Sequence, residues 1–184
     1  MTMLRPPMEP NWAGRNVFLK PSEVFIGGIG PEAGRVTTIL GSCVSVTFFS
    51  PRRRIGAICH ALLARCPEPA ACRTRCAEHG RYVACVLPSL LQRIRTRGVP
   101  SDDLACGLFG GSDLYGVNGV AAVGRINAET AAAFLASAGL RVRHRDVGGK
   151  AGRKLIFNTE TGEIWLKRLR EAGQAETDAP WKKF

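Results

Sequence analysis

The chain has 184 residues, of which 45% are hydrophobic, a composition typical of a globular protein with a buried core. Its 26 Lys and Arg against 15 Asp and Glu give a formal net charge of +11, a field that attracts acidic partners. No apolar run is long enough to cross a bilayer, so we expect no membrane insertion. Seven cysteines, an odd number, and no signal-peptide pattern predict a cytoplasmic protein without a disulfide framework.

Three regions follow from the distribution of proline and polar residues. Residues 1–20 contain three prolines and no clear periodicity, and we predict a flexible N-terminal arm there, with room for a short strand near its end. Residues 21–169 are predicted to form a single domain. Residues 170–184 are predicted to be a flexible C-terminal tail.

The first half of the domain is predicted to consist of strands. Residues 24–29 and 36–40 are short apolar segments that end at glycines. Residues 44–49 are β-branched and aromatic, and residues 54–63 form a second apolar run. The Ser-Pro-Arg-Arg turn between these last two runs predicts an antiparallel hairpin.

The second half adds helices. Apolar residues recur at helical spacing over 83–94, and Pro88 there lies either in a disturbed first turn, which we favour, or at a kink. Asn127 is predicted to cap a helix over 128–138. The remaining segments are predicted strands, at residues 104–109, 119–124, 140–147, 154–157 and 163–169. Short strands with two helices favour an α/β (α+β) sandwich over a parallel βαβ fold.

One pair of residues suggests chemistry. The predicted hairpin brings Cys43, at the start of the first strand, towards His60 on the returning strand. A histidine beside a cysteine activates the thiol as a nucleophile. Either residue alone is more often a core side chain. Gly41 permits a sharp turn at Ser42, where backbone N–H groups can hold an oxyanion.

The same stretch resembles the chemoreceptor glutamine deamidase family, CheD. The resemblance rests on GSC seventeen residues before a histidine, with a threonine six residues before the cysteine. It continues through GRYV, FGGS, VGRINAET and DVGGKAGRKLIFNTETGEI, and it covers most of residues 25–169. The resemblance implies two packed mixed or antiparallel sheets flanked by helices, as in toxin deamidases that are cysteine hydrolases.

The resemblance also implies a catalytic triad of Cys43, His60 and Thr37. Cys43 is expected to attack the glutamine carboxamide, His60 to act as base and acid, and Thr37 to orient the imidazole through its hydroxyl or carbonyl. The adjacent Thr38 is distinguished from Thr37 only by the six-residue spacing. The candidates for the oxyanion hole or the walls of the substrate site are Ser42, Gly110, Gly111 and Ser112.

A second cluster of candidate ligands lies in a Pro-bearing loop, at Cys66, Cys72, Cys76 and His79. Three cysteines and a histidine are able to bind zinc, but their spacing matches no standard finger. We expect ordinary loop thiols there, with a zinc site as the alternative. The deamidase interpretation requires no cofactor.

Two further functions compete with the enzyme. In the first alternative, the chain is a catalytically idle, basic docking protein of the chemotaxis array, which binds receptors or the phosphatase CheC. Nucleic-acid binding rests on charge alone, because the Arg-rich strand at 140–147 has no interleaved aromatic residues. The resemblance implies methyl-accepting chemoreceptor helices as substrate, CheC as a partner, and a thioester that also permits methylesterase activity.

Overall fold

A computed structural model describes residues 15–68, 78–113, 122–169 and 179–184. In these residues the chain forms two five-stranded sheets and two α-helices, which confirms the predicted α+β sandwich. Each sheet is mixed, because one neighbouring pair of strands in each runs parallel.

The first sheet joins strands from both ends of the described chain. Its spatial order is β1-β3-β8-β9-β10. The β8–β9 pair is the predicted closing hairpin, and its turn residue Asn158 accepts backbone N–H bonds from Glu160 and Thr161. The strands are β1 Arg15–Phe18, β3 Gly34–Leu40, β8 Arg153–Asn158, β9 Ile164–Arg168 and β10 Lys182–Lys183.

The second sheet carries the predicted central hairpin. Its order is β2-β5-β4-β6-β7, with β4 and β5 antiparallel across the Pro-Arg turn. The strands are β2 Val24–Gly27, β4 Val44–Ser50, β5 Ile55–Cys59, β6 Ala105–Gly110 and β7 Val142–Val147. β7 lies at the edge beside β6 and runs parallel to it.

Both helices cover one face of the second sheet. Helix α1 spans Val83–Arg95 and contains Pro88 in its interior, so the proline does not lie in the first turn. Helix α2 spans Ala122–Ser137. Their buried residues pack with alternate residues of β4 and β5, including Val46, Phe48 and Cys59. The predicted assignment of Cys59 to the core is therefore confirmed.

The opposite face of the second sheet packs on the first sheet. Ile58 and Phe109 from the second sheet join Val36, Leu40 and Phe157 from the first in a separate apolar cluster. Because side chains alternate along a strand, neighbours such as Ile58 and Cys59 lie on opposite faces. We call the space between the sheets the inter-sheet face.

The short strand anticipated near the end of the N-terminal arm is present as β1, at residues 15–18. Other predictions differ from the structure. Residues 182–183 of the predicted tail form β10; the rest of both terminal regions lies largely outside the described residues. The predicted strand at 119–124 is wrong where it is described, because residues 122–124 belong to α2. Asn127 therefore lies inside this helix and does not cap it.

Candidate active site

Cys43 lies immediately before β4 and directly after a bend at Gly41 and Ser42, which we call the bend of Cys43. Its side chain is half-buried and packs against the apolar cluster of the inter-sheet face. Its carbonyl accepts the N–H of Gly111 at 2.8 Å, which ties the bend to the end of β6. The thiol is therefore held in place yet is partly accessible.

His60 directly follows β5 and lies on the same face as Cys43. Val44 and Ala61 exchange two backbone hydrogen bonds of 2.9 Å, so His60 is opposite Ser45 and Cys43 is opposite Leu62. In this register Cys43 and His60 occupy diagonal positions, which in antiparallel pairs lie about 7–8 Å apart at the backbone. The two side chains therefore lie on one face, although no hydrogen bond joins the Cys43 thiol to His60 Nε2 in this structure.

The ring of His60 is held by a threonine. Thr38 Oγ1 lies 2.8 Å from His60 Nδ1 and also donates to the carbonyl of Leu19 at 2.8 Å. A hydroxyl has one hydrogen, so once Thr38 donates to Leu19 it accepts from Nδ1–H. This assignment leaves the lone pair on His60 Nε2, which is buried and has no hydrogen-bond partner. Nε2 is thus prepared to accept a proton.

The structure corrects the predicted identity of this threonine. Thr38 is fully buried on the inter-sheet face, together with Val36 and Leu40 of the same strand. Thr37 points to the other face because side chains alternate, and its carbonyl is already bonded to the N–H of Leu19 at 2.8 Å. Neither group of Thr37 is placed to orient the imidazole, although the six-residue spacing selected it.

Burial keeps both candidate catalytic groups neutral. Desolvation raises the pKa of the Cys43 thiol, and the residue's own backbone N–H opposes this rise. Desolvation lowers the pKa of His60, which the Leu19 carbonyl and the Glu23 carboxylate partly oppose. At rest the two groups are therefore a neutral thiol and a neutral imidazole on the same sheet face, and the imidazole is a base able to take a thiol proton.

The Gly110-Gly111-Ser112 turn lies directly against the segment of Cys43, and its role as a wall of the substrate site stays a prediction. The N–H groups of Gly111 and Ser112 donate to the carbonyls of Cys43 and Gly41, both at 2.8 Å, so they are not available for an oxyanion. The Ser112 hydroxyl is buried and donates to the carbonyl of Ala151. Through its two N–H bonds the turn holds the bend of Cys43 in place. The N–H groups of Ser42 and Cys43 remain the candidate oxyanion donors.

An arginine anchors the same turn. Arg153 is fully buried, contacts the Ser112 hydroxyl, and forms a 2.6 Å ion pair with Asp146. The pKa of Asp146 is lowered: burial raises it, but hydrogen bonds from Arg153 and Arg168 outweigh that effect. A second Arg153 bond reaches the Gly148 carbonyl at 2.6 Å. These contacts fix the segment that follows β7 against the turn.

Sequence reasoning missed the role of Asn127. This residue is fully buried, and its Nδ2 donates to the carbonyls of Ser42 at 3.0 Å and Leu62 at 2.7 Å. The signal available in the sequence was one amide side chain at the apolar face of an Ala-rich helix. The prediction of Asn127 as a helix cap is wrong because the residue lies in the interior of α2.

The predicted cysteine loop is described only in part. Cys66 lines a groove between α1 and α2 with Cys85 and Phe134, on the helix face and thus away from His60. His79 lies in a single 3-10 turn, and Cys72 and Cys76 lie outside the described residues. Among the described residues no three His, Cys, Asp or Glu side chains form a metal-binding group. The zinc alternative stays a prediction.

Two packed sheets that hold a thiol, a neutral imidazole and a buried hydroxyl on one face provide the components of cysteine-dependent acyl transfer. A family model described as CheD chemotactic sensory transduction matches residues 67–168. The chain belongs to the CheD family, which confirms the resemblance seen in the sequence motifs. In the described residues, no helix has the length and apolar character needed to span a membrane.

Curated relatives cover nearly the whole domain. A probable chemoreceptor glutamine deamidase CheD 2 of Geobacter sulfurreducens is 44% identical over 155 residues, 84% of this chain and 90% of the relative. A probable chemoreceptor glutamine deamidase CheD of Maridesulfovibrio salexigens is 37% identical over 162 residues, 85% of this chain and 94% of the relative. Matches of this length necessarily include residues 37–60, which the family model does not reach.

Proposed function

We propose that this protein is a chemoreceptor glutamine deamidase that uses Cys43 as its nucleophile and His60 as its base. One observation carries the assignment: His60 Nε2 is a buried, unpartnered lone pair, on the same sheet face as the half-buried Cys43 thiol. The names of the curated relatives support the substrate class.

The first half of the reaction forms a thioester. The Sγ–H proton moves to His60 Nε2 as sulfur attacks the side-chain carboxamide carbon of glutamine. The carbonyl oxygen becomes an oxyanion, for which the Cys43 N–H is a candidate donor. When the C–N bond breaks, Nε2–H gives its proton to the leaving nitrogen, and ammonia departs.

The second half hydrolyses the thioester. His60 Nε2 takes a proton from water, the hydroxide adds to the thioester carbonyl, and the C–S bond breaks. Sulfur regains the proton from the imidazolium, and glutamate remains on the substrate. Thr38 keeps Nδ1–H oriented through both halves, so it acts as a positioning residue. A glutamyl methyl ester passes through the same thioester, and methylesterase activity follows from the same groups.

The substrate we propose is the acidic, helical signalling region of a cytoplasmic chemoreceptor domain. The net charge of +11 favours encounter with such a surface. Conversion of glutamine to glutamate adds a negative charge to a receptor helix and shifts its signalling balance. A CheC-type phosphatase is the regulatory partner that the family membership suggests, and the cytoplasm is the expected compartment.

The assignment is tested on a purified receptor cytoplasmic fragment by peptide mapping after incubation. Wild-type protein should convert one or more glutamines to glutamate, with a gain of roughly one dalton each, and Cys43→Ala should convert none. If neither protein changes the fragment although both bind it, the chain is a docking protein and the proposed function is wrong.

A further inference from the structure

Asn127 joins the two segments that carry Cys43 and His60. Its Nδ2 contacts the carbonyl of Ser42, one residue before the thiol, and the carbonyl of Leu62, two residues after the imidazole. Among the described residues, neither carbonyl has another donor. The side chain therefore continues the pairing of the two segments at the point where the ladder ends, at Val44 and Ala61.

The Ser42 contact has a consequence for the neighbouring peptide group. The Ser42 carbonyl and the Cys43 N–H belong to one planar trans unit, so they point in opposite directions. If the carbonyl is directed towards Asn127, the N–H is directed away from the helix, towards the side-chain face of Cys43. This N–H is also the one that contacts the Cys43 sulfur.

Asn127 makes these contacts at the expense of its own oxygen. Two donor bonds fix the orientation of the amide, and its Oδ1 is then buried with no hydrogen-bond partner. An unpaired buried oxygen is unfavourable. We therefore expect Asn127 to contribute little net stability and mainly to fix the position of the Ser42 segment relative to the Leu62 segment.

Helix α2 is held tightly enough to transmit this geometry. Gly124, one turn before Asn127, packs against the Gly111–Ser112 turn so closely that an added Cβ would lie 2.4 Å from the Ser112 carbonyl. The same turn bonds the carbonyls of Gly41 and Cys43. The bend of Cys43 is thus held between the turn on one side and Asn127 on the other.

We propose that Asn127 is a positioning residue for the deamidation reaction, which fixes the Ser42–Cys43 peptide group so that the Cys43 N–H points at the oxyanion. This proposal rests on the proposed function for its catalytic meaning. The positioning itself is also visible in the reactivity of the Cys43 thiol, which requires no receptor.

The test compares Asn127→Ala with Thr159→Val. Thr159 is also fully buried, and its Oγ1 accepts the N–H of Gly34 at 2.8 Å, at the far end of the sandwich beside Gly56. Both changes remove a buried hydrogen-bonding side chain. The readouts are kcat and KM on the receptor fragment, thermal unfolding, and the pH profile of iodoacetamide alkylation at Cys43, located by peptide mass.

For Asn127→Ala we expect kcat to fall about 10²-fold with KM nearly unchanged, because an oxyanion donor is misplaced. The alkylation profile should move to higher pH. Thr159→Val should lose thermal stability yet keep both readouts within about twofold. Asn127→Ser retains a single donor and should show a smaller change in the same direction, which keeps the test available if the alanine variant does not fold.

Equal kcat and equal alkylation profiles for Asn127→Ala and Thr159→Val would overturn the positioning role. Inactive wild-type protein with a shifted alkylation profile in Asn127→Ala would instead contradict the proposed function while supporting the positioning of Cys43.

Discussion

The tautomer and ring orientation of His60 depend on the hydroxyl of Thr38, whereas the six-residue spacing from Cys43 selects the adjacent Thr37. Thr38 and Thr37 have the same chemistry, but only Thr38 is on the inter-sheet face at 2.8 Å from Nδ1. Substitutions of Thr37 and Thr38, adjacent residues of β3, therefore form a matched comparison.

Thr38→Val should lower kcat on the receptor fragment by about 10–10²-fold, because the imidazole loses the partner that fixes its tautomer and orientation. Thr37→Val should leave kcat within about twofold. Steady-state kinetics on both variants, with circular dichroism to verify folding, makes the comparison. The reverse result, with Thr37→Val inactive and Thr38→Val active, would restore the residue selected by spacing.

The pH dependence follows from the lowered pKa of His60. Only neutral His60 takes the thiol proton, so kcat/KM should be constant near pH 7 and fall below a midpoint under about 6.5, the ordinary histidine value. A pH–rate profile checks this. A midpoint above that value would mean that the pKa of His60 is raised in the folded protein, and it would contradict the neutral resting state.

Folding stability should fall over the same pH range. The unfolded chain binds a proton at His60 more readily than the folded chain does, so acidification below about pH 6.5 favours unfolding. Denaturant unfolding at each pH separates this loss of stability from the loss of catalysis, provided the protein stays folded throughout the kinetic assays.

At the scale of single residues, the sequence predicts the cysteine and the histidine but not the rest of the site. A tight turn fixes the register of a hairpin, so the seventeen-residue spacing is enough to place Cys43 near His60. The choice between adjacent threonines depends on which strand face is buried, and both faces of β3 carry a threonine. The contacts of Asn127 cannot be predicted from local sequence because they are made with carbonyls 65 and 85 residues away in the chain.

The elements around the site depend on close backbone packing at the end of β6. Gly110 has a φ of +101°, and an added Cβ would lie 2.2 Å from the Cys43 carbonyl. Gly139 also has a positive φ, +68°, but nothing lies within 4 Å of an added Cβ. Alanine substitutions at these two glycines therefore distinguish the cost of backbone strain, present at both, from displacement of the Cys43 segment, expected only at Gly110.

Gly110→Ala should lower the free energy of unfolding by about 2–4 kcal/mol and abolish turnover, since the bend of Cys43 must move. Gly139→Ala should cost only the left-handed strain of about 1–2 kcal/mol and keep turnover. Urea unfolding and receptor deamidation measure the two effects. Full activity in a stably folded Gly110→Ala variant would show that the turn does not position Cys43.

Element prediction failed where close packing overrides local pattern. The run GVAAVG is short, apolar and bounded by glycines, which favours a strand, yet its described part begins α2. Glycine is unfavourable inside a helix, but at position 124 only a residue without Cβ fits against the Gly111–Ser112 turn. Such a contact is long-range, and no local pattern of a single sequence indicates it.

At the scale of the whole molecule, two pairs of exposed arginines in the described residues lie at different places relative to the site. Exposed Arg143 and Arg145 lie on the edge strand β7, which runs parallel to β6 and ends level with Gly110. Exposed Arg52 and Arg53 lie at the β4–β5 turn, at the opposite end of the strand that Cys43 precedes. The two pairs carry equal charge at different distances from the thiol.

Arg143→Gln with Arg145→Gln should raise KM for an acidic receptor fragment several-fold and flatten the decline of kcat/KM with added salt. Arg52→Gln with Arg53→Gln removes the same charge and should change KM much less. Kinetics from low to physiological ionic strength tests this. Equal effects of both double variants would mean that net charge alone, and not the β7 edge, attracts the substrate.

Sequence composition underestimates how much of the C-terminal segment packs on the rest of the fold. The C-terminal segment is polar, yet β10 pairs with β9, and the ring of Phe184 packs edge-on against Phe109 with centroids 5.5 Å apart. Two aromatic residues three positions apart, Trp181 and Phe184, do not alternate as strand residues do, so they do not predict a strand.

The central claim is that the Cys43 thiol hydrolyses a receptor glutamine through a thioester. The most direct measurement is the mass of the modified receptor peptide after reaction in ¹⁸O-labelled water, with wild-type protein and with Cys43→Ala. Hydrolysis predicts a gain of about three daltons per converted glutamine with wild type only, because one oxygen comes from solvent. An unchanged peptide with wild type, or an equal gain with Cys43→Ala, would contradict the account.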